Sequence, residues 1–292
     1  PANKLSWTFL ILLSPIFGLM VYFLFGRSGL TKHTRERMDA VNRQVEALFQ
    51  RDSAVEKGLE KESRSAYLQS SYIDKWAGFP LYQNTQTKYY SCGEEMFPDM
   101  LEALRGAKHF IFLEYFIIEE GYMFNTILDI LEEKAKAGVD VRFIYDDVGS
   151  INSISFGYYK KLQERGIPCV TFNPFKPLIS VVMNNRDHRK IFVVDGYIGF
   201  TGGINLADEY INKVKRFGYW KDTGVRIEGE AVWSLTAMFL EMWNYINHSS
   251  EDYKQFMPQV YQKEPFEGDG FVQPYGDTPL DHETVGENIY LN

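Results

Sequence analysis

The chain has 292 residues, 45% of them hydrophobic and 16% aromatic, a composition that excludes a disordered or collagen-like chain and provides for one large core or two modest ones. The net charge of −8 is concentrated in residues 251–292, where two lysines stand against nine acidic groups. The remainder is nearly balanced, which argues against a domain that holds nucleic acid through a broad positive field. Cys92 and Cys169 are the only cysteines, too few for a zinc cage or a disulfide framework and consistent with free thiols in a reducing compartment.

Leu5 to Phe25 is an uncharged run rich in Leu, Ile and Phe, long enough as a helix to cross roughly 30 Å of hydrocarbon. It predicts one transmembrane helix, an anchor over residues 1–28, with Trp7 and Tyr22 near its two ends as interfacial anchors. A secretory signal is the rival reading, but Phe25-Gly26-Arg27-Ser28-Gly29 lacks a small-x-small cleavage pattern. Arg27, Lys32, Arg35, Arg37 and Arg43 follow the run and only Lys4 precedes it. That bias predicts a cell-membrane protein whose following domain is cytoplasmic. Residues 29–75 then read as a polar helical connector, with Met38, Val41, Val45 and Leu48 at helical spacing.

From residue 76 to about 250, apolar strands alternate with amphipathic helices, the pattern of an α/β domain with a mixed β-sheet flanked by helices. Helices are expected over 94–105, 122–137, 153–165 and 231–247, and strands over 110–118, 139–145 and 169–172. Asn173-Pro174-Phe175-Lys176-Pro177 interrupts regular structure. The acidic stretch 251–292 reads as a junction toward a second half, and the whole sequence as a piece of a longer protein.

The stretch that carries chemistry runs from Asp187 to Asn205. Two apolar runs flank Asp195-Gly196, a two-residue turn signal that predicts a β-hairpin with Val194 opposite Tyr197, Lys190 opposite Thr201 and His188 opposite Gly203. His188 and Lys190, two apart, share a face of the strand. An imidazole able to attack phosphorus, an ammonium to neutralise the non-bridging oxygens and glycines that admit a tetrahedral group make a phosphoryl site. Asn205 offers an amide to the same oxygens. No histidine spacing implies a metal, and no cofactor is expected.

The spacing His188-x-Lys190-x4-Asp195 followed by Gly202-Gly203-x-Asn205 resembles the signature of the phospholipase D superfamily, and more narrowly of bacterial cardiolipin synthases. Phe112-Leu113-Glu114-Tyr115-Phe116, Tyr145-Asp146-Asp147-Val148-Gly149-Ser150 and the run from Trp220 to Gly229 support the same resemblance. It implies a phospholipase D-like half and a phosphatidyltransferase that makes cardiolipin from two phosphatidylglycerol molecules through a phosphohistidine intermediate. Its catalytic set is His188, Lys190 and Asp195, with Lys190, Gly203 and Asn205 on the phosphate and Asp222 a candidate for orienting His188. Asp195 reads more as a holder of the turn than as a contact to substrate. The implied partners are phosphatidylglycerol, anionic membrane lipids and a second copy of the motif, from a second half of a parent chain or from a homodimer partner; no nucleic acid is implied. This sequence has one such motif, since His33, His109, His248 and His282 lack a lysine two residues on. The alternatives are a phospholipase D-type hydrolase and an inactive membrane-anchored half.

Overall fold

The computed structural model describes residues 2–26, 32–174, 186–268, 270–278 and 283–292. Arg27, Phe175, Lys176 and Pro177 of the sequence reading lie outside them. The body is built on strands β1 (Thr85–Tyr90), β2 (Phe110–Tyr115), β3 (Asp140–Asp146), β4 (Cys169–Phe172), β5 (Ile191–Val194), β6 (Ile198–Gly202) and β7 (Gly224–Gly229). They form one sheet in the order β1-β7-β6-β5-β2-β3-β4. β2, β3 and β4 run parallel, whereas β5, β6, β7 and β1 each run antiparallel to the neighbour before them. The expected mixed sheet is therefore present.

Every residue of β2 is buried, because helices cover both faces of the sheet, and the strand is accordingly apolar but for Glu114 and the Tyr115 hydroxyl. Ile111, Leu113 and Tyr115 face one core, shared with α6 (Gly93–Gly106), α7 (Tyr122–Lys136) and α8 (Tyr158–Glu164). Phe110 and Phe112 face the other, which is filled by α9 (Val232–Asn247). There Phe112 stacks on Phe239 with ring centroids 4.6 Å apart. The helix expected over 153–165 is shorter, because Gly157 precedes α8 in a left-handed conformation with φ of 73°.

The polar stretch before the sheet forms three helices rather than one connector: α3 (Lys32–Glu46), α4 (Ser53–Glu62) and α5 (Arg64–Ala77). Asp52 caps α4 by accepting from the Ala54 N–H at 2.7 Å, and Ser63, extended, ends α4 while its hydroxyl accepts from the Ala66 N–H of α5. Val45, Phe49 and Ile73 bury against the α9 side. The acidic tail packs there as well. Tyr253 and Phe256 are buried, Tyr82 and Val272 exchange backbone hydrogen bonds of 2.9 Å, and the tail ends in α10 (Pro258–Tyr261) and α11 (Val285–Leu291).

The apolar run at the start is divided. α1 (Ala2–Leu13) and α2 (Pro15–Val21) are separated by Ser14, which is extended, and Tyr22–Gly26 continues as a π-helical turn. Proline disfavours the helical conformation in the residue before it, which accounts for the break at Ser14. The two helices fold back on one another: a Cβ on Gly18 would lie 2.6 Å from the Leu10 carbonyl oxygen, and Trp7 meets Tyr22 at 5.5 Å. Leu5, Phe9, Leu12 and Ile16 point outward with exposures of 68–90%. Among the described residues no helix is long and apolar enough to cross a membrane, so the single continuous span expected from the sequence is an apolar hairpin here.

Candidate active site

Strand directions sort the loops of the sheet onto two edges. The carboxyl ends of β2, β3, β4 and β6 and the amino end of β5 share one edge, which therefore carries His188, Lys190 and residues 203–223. The β5–β6 turn lies at the other.

His188 is exposed and Lys190 is buried. Both gather on Phe116, which follows β2: the His188 ring lies 4.8 Å from the Phe116 ring, and the Lys190 ammonium 5.5 Å from the same centroid. Lys190 Nζ donates to the His188 carbonyl at 2.7 Å. The shared face expected from their spacing is thus present. Partial desolvation by its neighbours and then the Lys190 charge lower the His188 pKa from its ordinary 6.5, against the opposing pull of Asp187 and Asp146, which favours the neutral, nucleophilic imidazole near neutrality. Burial pushes the Lys190 ammonium down to about 8, with Asp187 and Asp222 acting to hold its proton.

The hairpin register differs by one from the expected register. Val194 pairs with Ile198 and Phe192 with Phe200, so the loop has three residues, Asp195, Gly196 and Tyr197. Asp195 itself is left-handed at φ of 50°, a conformation that Asp tolerates better than most residues. Thr201 Oγ1 nevertheless donates to the Lys190 carbonyl at 2.8 Å, so the two residues still meet.

Asp195 is buried at the far end of β5, and its carboxylate accepts from the backbone N–H groups of Lys108, His109 and Phe110 at 2.7–2.9 Å. Four strand residues separate it from Lys190, five steps of the chain or roughly 16 Å at the usual rise. The motif resemblance groups it with the catalytic residues; the geometry makes it the anchor of the turn to the start of β2. Asn205 is also committed. It is 2% exposed, its Oδ1 accepts from Ile117 N–H at 2.9 Å and its Nδ2 donates to the Tyr210 hydroxyl at 2.8 Å. It ties the loop after β2 to the loop after β6 through Oδ1 and one of its two Nδ2 donors. Gly203 sits against Asp222, where a Cβ would collide with the carboxylate. Asp222 favours the charged Lys190, and among the described residues no hydrogen bond joins it to His188. It is therefore not seated to orient the imidazole.

Beneath the motif, alternation sends Asp187 and Arg189 to the other face of the sheet, where they meet Glu114 of β2. Arg189 Nε lies 2.7 Å from Glu114 Oε1 and 3.1 Å from Asp187 Oδ1. Burial raises Glu114 well above the carboxylate range, opposed by Arg189 and assisted by Asp187. Burial alone would lower Arg189, but Glu114 and Asp187 hold it firmly charged. Asp146, at the end of β3, accepts from the N–H groups of Val148, Gly149 and Asp187 at 2.8–3.0 Å. These residues fix the backbone on either side of His188. The sequence signal for Glu114 was a lone charge within an apolar strand; nothing local marks Phe116 as the ring on which the pair converges.

Among the described residues no group of His, Cys, Asp and Glu is arranged to hold a metal ion. Two clefts, of about 290 and 330 Å³, are lined by Thr85–Thr87 with residues 270–272 and by Asp140, Arg142 and Trp243. Both lie away from His188.

Residues 100–243 match the family model described as cardiolipin synthase, PLD-like domain, and residues 1–27 match the one described as phospholipase D-nuclease N-terminal. An uncharacterized protein of Streptococcus mutans is 42% identical over 289 residues, covering 99% of this chain and 62% of that protein. Cardiolipin synthase 1 of Bacillus cereus is 36% identical over 300 residues, and the cardiolipin synthase of Alkalihalophilus pseudofirmus 33% over 297; each alignment covers 100% of this chain and 58% of the relative. The chain thus spans about three fifths of the length of these curated relatives. The motif lies at one edge of a mixed sheet, and these matches along the whole chain mean that it belongs to the phospholipase D-like family of cardiolipin synthases.

Proposed function

We propose that the chain supplies the nucleophilic wall of a phosphatidyltransferase site that makes cardiolipin from two phosphatidylglycerol molecules. The observation that carries this reading is the convergence of an exposed imidazole and a buried ammonium on Phe116. A His188 ring nitrogen attacks phosphorus as the P–O bond to the departing glycerol breaks, and that oxygen takes a proton from a general acid. The hydroxyl of a second phosphatidylglycerol then attacks the phosphohistidine, passes its proton to the same group and restores His188 as the N–P bond breaks. Lys190 neutralises the non-bridging oxygens, and its burial strengthens that interaction.

The general acid is the part this sequence does not contain. With one motif, the site is completed by a second, from a longer chain or from a second copy across a two-fold axis. The exposure of His188 fits that role. The outward apolar side chains of α1 and α2 seat the protein in lipid, and Lys32, Arg35 and Arg43 beyond them favour a cytoplasmic body.

The test is the chain in phosphatidylglycerol vesicles, wild type against His188→Asn, with molecular mass measured in detergent. A dimer that releases glycerol and cardiolipin in equal amounts, both lost in the variant, is the expected result. Equal output from the variant contradicts the role of His188, and phosphatidic acid in place of cardiolipin contradicts transfer in favour of hydrolysis.

A further inference from the structure

The large apolar side chains left exposed on the body are distributed unevenly between the two edges of the sheet. Among the described residues from 32 onward, the three most exposed outside α11, where Tyr290 is at 90% and Leu291 at 71%, are Phe156 at 84%, Phe217 at 80% and Tyr219 at 66%. All three stand on loops of the His188 edge, with Ile151 and Val214 beside them in sequence and also exposed. The turns at the other edge, 107–109, 137–139, 165–168 and 195–197, expose none. A protein does not concentrate such side chains around one opening without something to cover them.

The loop that carries Val214, Phe217 and Tyr219 is held at its base. Asn212, left-handed at φ of 53°, accepts from the Trp220 N–H at 2.7 Å through Oδ1 and donates to the Trp220 carbonyl at 2.9 Å through Nδ2. Trp220 packs on Tyr210 at 5.0 Å, and Asn212 Nδ2 also reaches Glu94 at 2.8 Å. Between the stapled ends stand Lys213, Lys215 and Arg216 and no acidic residue, and Lys221 follows. Arg216 is paired with Glu209 at 3.0 Å, and Lys213 lies over the Tyr122 ring at 4.1 Å. Apolar tips interleaved with cations are the chemistry of a surface that meets anionic headgroups and the acyl boundary beneath them.

We infer that this stapled loop, residues 213–219, with Phe156 on the same edge, is a docking surface for an anionic phospholipid bilayer that presses the mouth of the site against lipid. Its purpose rests on the lipid reading of the site, whereas its test does not use turnover. The held base means that docking does not have to order the loop first.

The test uses the full chain with Cys92→Ser and a polarity-sensitive dye on Val214→Cys, reconstituted into phosphatidylcholine vesicles with or without phosphatidylglycerol. Cys169 is buried and does not label. The same dye on Ala137→Cys, at the opposite edge, is the control. Expected are a blue shift and quenching by brominated lipid at position 214 in the anionic vesicles, and neither at position 137. Adding Phe217→Ser with Tyr219→Ser abolishes the shift, and Lys215→Gln and Lys221→Gln each lower the docked fraction ratio roughly fivefold. An aqueous dye at 214 in anionic vesicles overturns the inference even if cardiolipin is formed. A dye already buried without vesicles, in a dimeric chain, also overturns it and assigns the loop to a protein interface. A lipid-buried dye with no cardiolipin formed supports the docking surface and tells against the proposed reaction alone.

Discussion

The two ends of β5 belong to one short motif and do opposite things with charge. At the Ile191 end, Lys190 is buried with one described acceptor for its three donors, the His188 carbonyl, beside an imidazole left open to solvent. At the Val194 end, the Asp195 carboxylate is buried and accepts from three backbone N–H groups. One end retains unspent hydrogen-bonding capacity and a lowered ammonium pKa, which is what an incoming phosphate needs. The other is saturated by the fold. A fixed spacing in sequence therefore records two constraints, a site and the turn that keeps the strand carrying it in place.

Substitutions separate the two ends. The largest effect is expected from His188→Asn, a loss on the order of 10⁴ or more in turnover with thermal stability unchanged, since the side chain is exposed. Lys190→Met is expected to lower kcat/KM on the order of 10²–10³ through the loss of charge on the phosphate, measured by initial rates over a range of lipid concentration. Asp195→Ala reverses the pattern. It orphans the buried Phe110 N–H at about 1–3 kcal/mol, with less from the part-buried N–H groups of Lys108 and His109, so the unfolding midpoint falls in denaturant titration while the rate per folded molecule is retained; a selective rate loss at unchanged stability would erase the distinction between the ends.

The pH profile sharpens the comparison. Lys190 loses its proton as pH rises through about 8, so kcat/KM is expected to fall by up to about tenfold per unit beyond that point. On the acid side, His188 gains a proton and ceases to be a nucleophile only below its ordinary 6.5, because partial desolvation and Lys190 depress it. Asp222→Asn gives the smallest change: it removes a charge that holds the Lys190 proton, so the alkaline limb moves to lower pH while the acid limb stays. Movement of the acid limb instead would restore the orienting role that the geometry withholds from Asp222.

Much of this architecture was legible in the chain. Continuous apolar strands and amphipathic helices specified the α/β body, and alternation placed His188 and Lys190 on one face. The hairpin register was not legible: Asp195 and Gly196 are both left-handed, as a two-residue turn requires, and Tyr197 N–H closes it on the Val194 carbonyl at 3.3 Å, but the ladder pairs Val194 with Ile198 and leaves Tyr197 as an extra residue. Asn205 has phosphate-binding chemistry as an amide near glycines, and only the approach of Ile117 and Tyr210 in the fold shows that its Oδ1 and one Nδ2 donor tie loops together. The apolar run was read by length and composition, which carry no record of Gly18 closing on Leu10. The connector divided at Asp52 and Ser63, whose capping chemistry was local and readable.

The central claim is that His188 becomes covalently attached to phosphorus, and an activated substrate tests it without the general acid. Phosphatidyl-p-nitrophenol needs no protonation of its leaving group, so the chain alone is expected to release about one equivalent of p-nitrophenolate in a burst and to carry a phosphatidyl group on the His188 peptide by mass spectrometry. His188→Asn is expected to show neither. A burst of the same size from that variant, or an adduct on another residue, would contradict the assignment.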